Sequence, residues 1–247
     1  MQKQGGLIID PSTSRDASRL PIQTPAPHLC ALRISASFLR CVDVVHTFSP
    51  TIKELCISCR ALSCATEMRD ALQLIVESCP GLNTVSIDIL HGLPEQAAWV
   101  DWSPLLRCTN IQQFSITFPA PISMADLGSK LSSWPKIRAL SLNPRPACRQ
   151  FGPEVPGPDF LINVAQAAPT LLELHVMLDF HERMDPHDIA VLPTWAPSLR
   201  VLDLGYSHGL HDEHTFHDIR QCINILFPGC YYEVQDCSRW VQRLYAT

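Results

Sequence analysis

Glycine is scarce in this chain, with 10 in 247 residues. Loops that cradle a phosphate need glycine so that the backbone can approach the anion. Neither a Gly-x-x-x-x-Gly-Lys nor a Gly-x-Gly-x-x-Gly stretch occurs, and a Gly-x-Ser-x-Gly nucleophile turn is also missing. Charged residues make up only 17%, and the net charge of −5 is spread along the chain. No basic patch stands out, which argues against nucleic acid as the main partner. No window approaches 18 consecutive apolar residues, the minimum for a membrane-spanning helix. The opening stretch, MQKQGGLIIDPSTSRD, lacks the apolar run of a secretion signal. The 11 cysteines are therefore expected as reduced thiols of a cytoplasmic or nuclear protein, packing as small hydrophobes. Aromatics are few, at 7%, so the anchors that dominate most binding surfaces are in short supply.

Two things are abundant: apolar residues, at 46%, and proline, with 21 residues. The prolines recur rather than cluster. The stretch PSLRVLDL from Pro197 reads Pro-x-Φ-x-x-Φ-x-Φ, with Φ apolar. The same pattern appears as PHLCALRI from Pro27, PTIKELCI from Pro50, PGLNTVSI from Pro80, PKIRALSL from Pro135 and PTLLELHV from Pro169. TNIQQFSI from Thr109 carries Thr for Pro, and a degraded eighth copy begins at Pro228. Successive copies lie 23, 30, 29, 26, 34, 28 and 31 residues apart. A repeat at this period indicates stacked units and sets the fold before any single motif is read.

Within each copy the last three residues alternate in, out, in, as a short strand does. Between copies the pattern becomes helical. Residues 66–78 place Met68, Leu72, Ile75 and Val76 on one stripe, and residues 215–227 place Phe216, Ile219, Cys222, Ile223 and Leu226 likewise. A helix is also expected over 37–48, and Ser123 with Asp126 reads as a capping box opening a helix through Leu131. Residues 92–107 are ambiguous because Pro104 interrupts them. One unit cannot bury both its strand face and its helix stripe, but a stack of them can.

The arrangement over about residues 27–237 resembles a leucine-rich repeat. The resemblance implies an α/β solenoid, a horseshoe whose concave parallel sheet has seven or eight short strands, with helices on the convex side. The Asn or Cys usual three residues after the last Leu is replaced by Ser37, Arg60, Arg145, Asp179 and Ser207. The Pro-headed units and the ending LFPGCYYEVQDCSRWVQRLYAT are similar to the repeat regions of fungal F-box proteins. That likeness implies a non-enzymatic protein-interaction scaffold, a substrate-recognition module of ubiquitin ligases. The F-box itself has no counterpart in residues 1–26, which read as a mobile tail rich in Ser, Pro and Thr. A Skp1-type adaptor is therefore expected as a partner only through a cryptic F-box-like surface. The expected domains are this tail and a single array over 27–247 closed by a C-terminal cap. The chain is expected to be a monomer, without cofactor, nucleic acid or membrane, and its protein partner is not named by any motif.

If the array holds, the residues flanking the middle Φ face outward. The candidate interaction surface comprises Arg33, Glu54, Asp88, Gln113, Asn143, Glu173, His175 and Asp203, together with Arg145, Arg149 and Phe151 in the Pro-rich segment 144–160. An alternative reading is a metal-dependent enzyme or metal-binding protein. HGLHDEHTFH sets His208, His211, His214 and His217 at every third position beside Asp212, Glu213 and Asp218. The bland reading of that stretch is a polar loop. CISCRALSC offers a Cys56–Cys59 half-site with no second pair at zinc-ribbon spacing, and HERMDPHD lacks the His-Glu-x-x-His spacing. Asp185 before Pro186 reads instead as a helix cap. No spacing sets a Ser and an Asp beside a base, so catalytic residues are not assigned and no enzyme is expected.

Overall fold

The computed structural model describes residues 5–9, 29–37, 40, 45, 51–120, 127–146, 155–181, 185–190, 198–207, 213–235 and 241–245. The expected helix over 37–48 and the Ser123–Asp126 box lie largely or wholly outside them.

The chain forms an α/β architecture with one open sheet whose strands lie side by side in chain order. The strands are β1 (Gly5–Ile9), β2 (Leu29–Ser35), β3 (Glu54–Cys59), β4 (Thr84–Ile89) and β5 (Gln113–Thr117). They continue as β6 (Ala139–Leu142), β7 (Glu173–Val176), β8 (Val201–Asp203), β9 (Tyr231–Gln235) and β10 (Val241–Tyr245). Neighbours from β1 to β9 pair in parallel, and β10 turns back antiparallel on β9. Between the strands lie α1 (Glu67–Ser78), α2 (Leu127–Lys130), α3 (Asp159–Ala167), α4 (Pro186–Ala190) and α5 (Glu213–Leu226). The ambiguous stretch after β4 forms two 3-10 segments, Pro94–Trp99 and Ser103–Arg107, with Pro104 at the start of the second. Proline fits there because its missing N–H would have no partner in a first turn.

The repeat maps onto the sheet position by position. The middle apolar residues Leu32, Leu55, Val85, Phe114, Leu140, Leu174 and Leu202 pair in one continuous row that ends on Tyr232. The first-position residues Ile52, Leu82, Ile111, Ile137 and Leu171 are all at most 1% exposed, and Ile34, Ile57, Ile87, Ile116 and Val176 are fully buried. Helix residues Met68, Leu72, Ile75, Leu161, Val164 and Ile223 join them in a single core. Trp134, Trp102 and Phe114 pack as a tilted trio in mid-array, with ring centroids 5.2 to 6.0 Å apart. Trp134 donates its indole N–H to the Leu105 carbonyl at 3.0 Å, which satisfies its polar atom inside the core.

The recurring proline has a local cause. Before the strands the chain makes a tight turn closed by the first apolar residue. Leu82 N–H reaches Cys79 O, Ile111 reaches Cys108, Ile137 reaches Trp134, Leu171 reaches Ala168 and Cys230 reaches Phe227, at 3.0 to 3.3 Å. Pro80, Pro135, Pro169 and Pro228 stand second in these turns, where a fixed φ is an advantage and a donor is not required. Thr109 occupies the same place. Between the turn and the strand, one carbonyl per unit bonds the next unit. Lys53 N–H donates to Cys30 O, Asn83 to Lys53, Gln112 to Asn83, Arg138 to Gln112, Leu172 to Arg138, Arg200 to Leu172 and Tyr231 to Arg200, all at 2.7 to 2.8 Å. This backbone file runs the length of the array and requires no particular side chain.

Expectations change at the two ends of the array. Gly5–Ile9, inside the segment read as a mobile tail, is a strand on the outer edge of β2. Leu7, Ile8 and Ile9 favour extended backbone, and pairing there covers an otherwise open parallel edge. Among the described residues the sheet therefore has nine parallel strands rather than seven or eight. The degraded copy at Pro228 is a true strand, but one residue is missing between its first and middle apolar positions: Cys230 to Tyr232 spans two residues where Leu199 to Leu202 spans three. In the ending read as a cap, Tyr232 is buried and β10 is the last strand of the sheet.

Candidate binding face

The sheet face away from the core carries three polar rows. Ala31, Glu54, Thr84, Gln113, Ala139, Glu173 and Val201 pair in the first, and Arg33, Cys56, Ser86, Ser115, Ser141, His175 and Asp203 in the second. Ser35, Ser58, Asp88 and Thr117 form the third. Between β2 and β4 this face holds an open recess of about 660 Å³, lined by Arg33, Glu54, Cys56, Ser58, Thr84, Ser86 and Asp88 with Ala31, Leu32 and Leu55. The recess exists because Ala, Cys, Ser and Thr stand where larger side chains would fill it. Arg33 and Glu54 are exposed and Asp88 is half-buried. Among the described residues, none of the three has an ion pair or a side-chain hydrogen bond. Leu90, just past the end of β4, is 53% exposed. It follows the last apolar position of its repeat, so the pattern gives it no role.

The other expected surface residues divide. Gln113 and Glu173 are exposed on the first row, away from the recess. Arg149 and Phe151 lie outside the described residues. Asn143 is a correction: it is 3% exposed and its φ is +49°. That left-handed turn, which Asn tolerates better than most residues, carries the side chain beneath the strand ends. There its Oδ1 accepts the Phe118 N–H at 3.0 Å and its Nδ2 donates to the Ala120 carbonyl at 2.7 Å. Ser207, one of the residues that departs from the usual repeat pattern, does similar work one repeat pair later. Its hydroxyl donates to the Leu204 carbonyl and accepts the Leu178 N–H at 2.9 Å.

Asp203 is also buried, at 5% exposure. One carboxylate oxygen accepts the Gly205 N–H at 2.9 Å. The other meets the Arg145 guanidinium at 2.7 Å and His175 Nδ1 at 3.2 Å. Burial alone would raise this carboxyl, but the hydrogen bonds from His175 and Gly205 and the Arg145 charge hold it below the usual carboxylate range. The register thus sets Ser141, His175 and Asp203 side by side, a neighbourhood that no spacing in the sequence reveals. No hydrogen bond joins Ser141 to His175, and Arg145 shares the oxygen that faces the histidine. The group is a clasp that binds the start of the segment after β6 to β7 and β8. Gly205 (φ +51°) completes it, since a Cβ there would stand 1.8 Å from the Pro144 carbonyl oxygen.

Cys56 opens onto the recess while Cys59 is buried, because residues three apart on a strand face opposite sides. The pair cannot share a metal on the outward face. Cys59, Cys79, Cys108, Cys222 and Cys230 are buried cysteines outside any disulfide. Desolvation pushes Cys59, Cys222 and Cys230 up to about 12 and Cys79 and Cys108 up to about 11. Of the histidine stretch, His208, His211 and Asp212 lie outside the described residues, and His214 and His217 are exposed on the first turns of α5. Asp185 caps α4 as expected, its Oδ1 accepting the His187 N–H at 2.8 Å. No helix among the described residues is long and apolar enough to cross a membrane. Neither a protein-family model nor a curated protein matches this chain.

Proposed function

We propose that this chain is a leucine-rich-repeat-like solenoid, curved as a horseshoe with its sheet on the concave side, and that it works as a non-enzymatic protein-interaction module. The observation that carries this reading is the recess on β2–β4, where small side chains open a space and three charged groups have no ion-pair or hydrogen-bond partner among the described residues. Unpaired charges around a shaped concavity suit a partner's polar surface, which would supply their counter-charges. The repeat style adds a role in substrate recognition for ubiquitin ligases, in a cytoplasmic or nuclear setting. The test is affinity capture of the tagged chain beside two variants, Ser86→Arg on the middle row of the recess and Asp70→Arg on the exposed side of α1. A protein recovered with the wild type and Asp70→Arg but lost with Ser86→Arg is the expected result. A partner that survives Ser86→Arg would place binding elsewhere. Recovery of a cullin and its adaptor would extend the reading to ligase assembly.

A further inference from the structure

The order of charges in the recess specifies what can lie there. Glu54 stands on the first outward row, Arg33 on the second and Asp88 on the third. Along the strand direction the sequence is negative, positive, negative. Rows two residues apart on a strand are separated by about 6.6 Å. Alternate side chains of an extended peptide repeat at this same distance and point to one side. Across the sheet the three groups fall on adjacent strands, β2, β3 and β4, within about 10 Å from the first to the last. A single extended segment lying along β3 therefore reaches all three. Beneath it Cys56, Ser58 and Ser86 are small enough to let its side chains descend, and the two serine hydroxyls can bond its backbone.

We infer that the recess selects an extended polypeptide segment with the pattern basic-x-acidic-x-basic, its two cations meeting Glu54 and Asp88 and its carboxylate meeting Arg33. This inference rests on the proposal that the outward face binds protein, and it assigns the partner's chemistry. Fully acidic and fully basic segments are both disfavoured, because each would set a like charge against at least one of the three groups. The three pairs face solvent, so raised salt weakens both the binding and the preference in charge order.

The test is a titration of the isotope-labelled full chain followed by amide shifts. The probes are acetyl-Gly-Lys-Ser-Glu-Ser-Lys-Gly-amide and its charge inverse, acetyl-Gly-Glu-Ser-Lys-Ser-Glu-Gly-amide. The first peptide is expected to move the amides of Cys56, Ser58 and Ser86 and to bind at least about tenfold tighter than the second, from three solvent-facing pairs made in one case and opposed in the other. The combined variant Glu54→Lys, Arg33→Glu, Asp88→Lys should reverse the preference. Arg33→Glu alone, at an exposed site, should shrink it from about tenfold to about twofold, since two of the three pairs still favour the first peptide, and serves if the triple variant does not fold. Equal binding of the two peptides, no shift at these amides, or an unreversed preference would overturn the inference. If neither peptide binds while Ser86→Arg still removes a captured partner, the charge-order inference fails and the binding-face reading stands.

Discussion

Replacing Asn143 separates a surface residue from a structural one. As an outward-facing contact residue it would tolerate substitution to within about 0.5 kcal/mol. Its observed place demands far more. The side chain serves the Phe118 N–H and the Ala120 carbonyl, and both residues are 1% exposed, so water cannot easily replace it. Each buried group left unpaired costs about 1–3 kcal/mol. Asn143→Ala also sets a Cβ without a compensating side-chain bond at φ +49°, which adds about 1 kcal/mol. The total is about 3–7 kcal/mol, and for a chain of this size each kcal/mol lowers the melting temperature by about 2–4 °C. Asn143→Gly loses the same two bonds but accepts the backbone angle, so it should be less damaging than Ala despite its more flexible unfolded chain. Urea unfolding followed by the fluorescence of Trp102 and Trp134, which pack beside Phe114 on the neighbouring strand, reads the effect. A loss under 1 kcal/mol for Ala, or a Gly variant worse than Ala, would refute the assignment.

The Asp203 clasp carries a pH signature. Its folded-state carboxyl is lowered, so its contribution is fully present above the ordinary carboxylate range and is lost as pH falls through the folded value. Asp203→Asn should cost about 1–2 kcal/mol at neutral pH, given that the Arg145 side chain is 37% exposed, and should flatten the acid limb of the stability curve. An unchanged acid limb would contradict the clasp. Gly205→Ala should destabilise by more than about 3 kcal/mol through its collision with Pro144, whereas Gly229→Ala, also at positive φ but with open space around it, should cost about 1 kcal/mol. Similar losses at both sites would show that backbone angle alone matters. Thiol labelling of the native chain at pH 7, mapped by mass spectrometry, should reach Cys64 and then Cys56 but leave Cys59, Cys222 and Cys230 unmodified until the chain unfolds. Rapid native labelling of Cys222 would contradict its burial.

The strands were legible because their signal is a periodic requirement: three apolar rows must line up, and each copy writes the same three positions. The proline that heads each copy was legible too, although its cause is the turn that the first apolar residue closes. Connecting segments were less legible. Residues 94–107 carry no clean helical stripe, and only packing around Trp102 and Leu105 fixes their 3-10 turns. Outward direction was correct along the strands and failed just past them. At Asn143 the backbone enters the left-handed region and the alternation ends, so a rule of period two points the side chain the wrong way. Asp203 does face outward, but its burial depends on Arg145, 58 residues earlier in the chain, and no local pattern encodes that meeting. The recess follows from a run of small outward residues on adjacent strands, visible in the sequence only once the register is known. Leu90 was missed for a related reason, since its exposure is set by where β4 ends.

Backbone hydrogen exchange gives the most direct test, because the outward rows, the recess and the clasp all depend on the repeat-to-repeat register. The amides of Lys53, Asn83, Gln112, Arg138, Leu172, Arg200 and Tyr231 each donate to the preceding unit. They should exchange slowly and as a group, together with the strands that follow them. Exchange of these seven at unprotected rates, with protection confined to α1 and α5, would mean that the copies do not stack in this register and that the outward rows, the recess and the clasp do not exist as described.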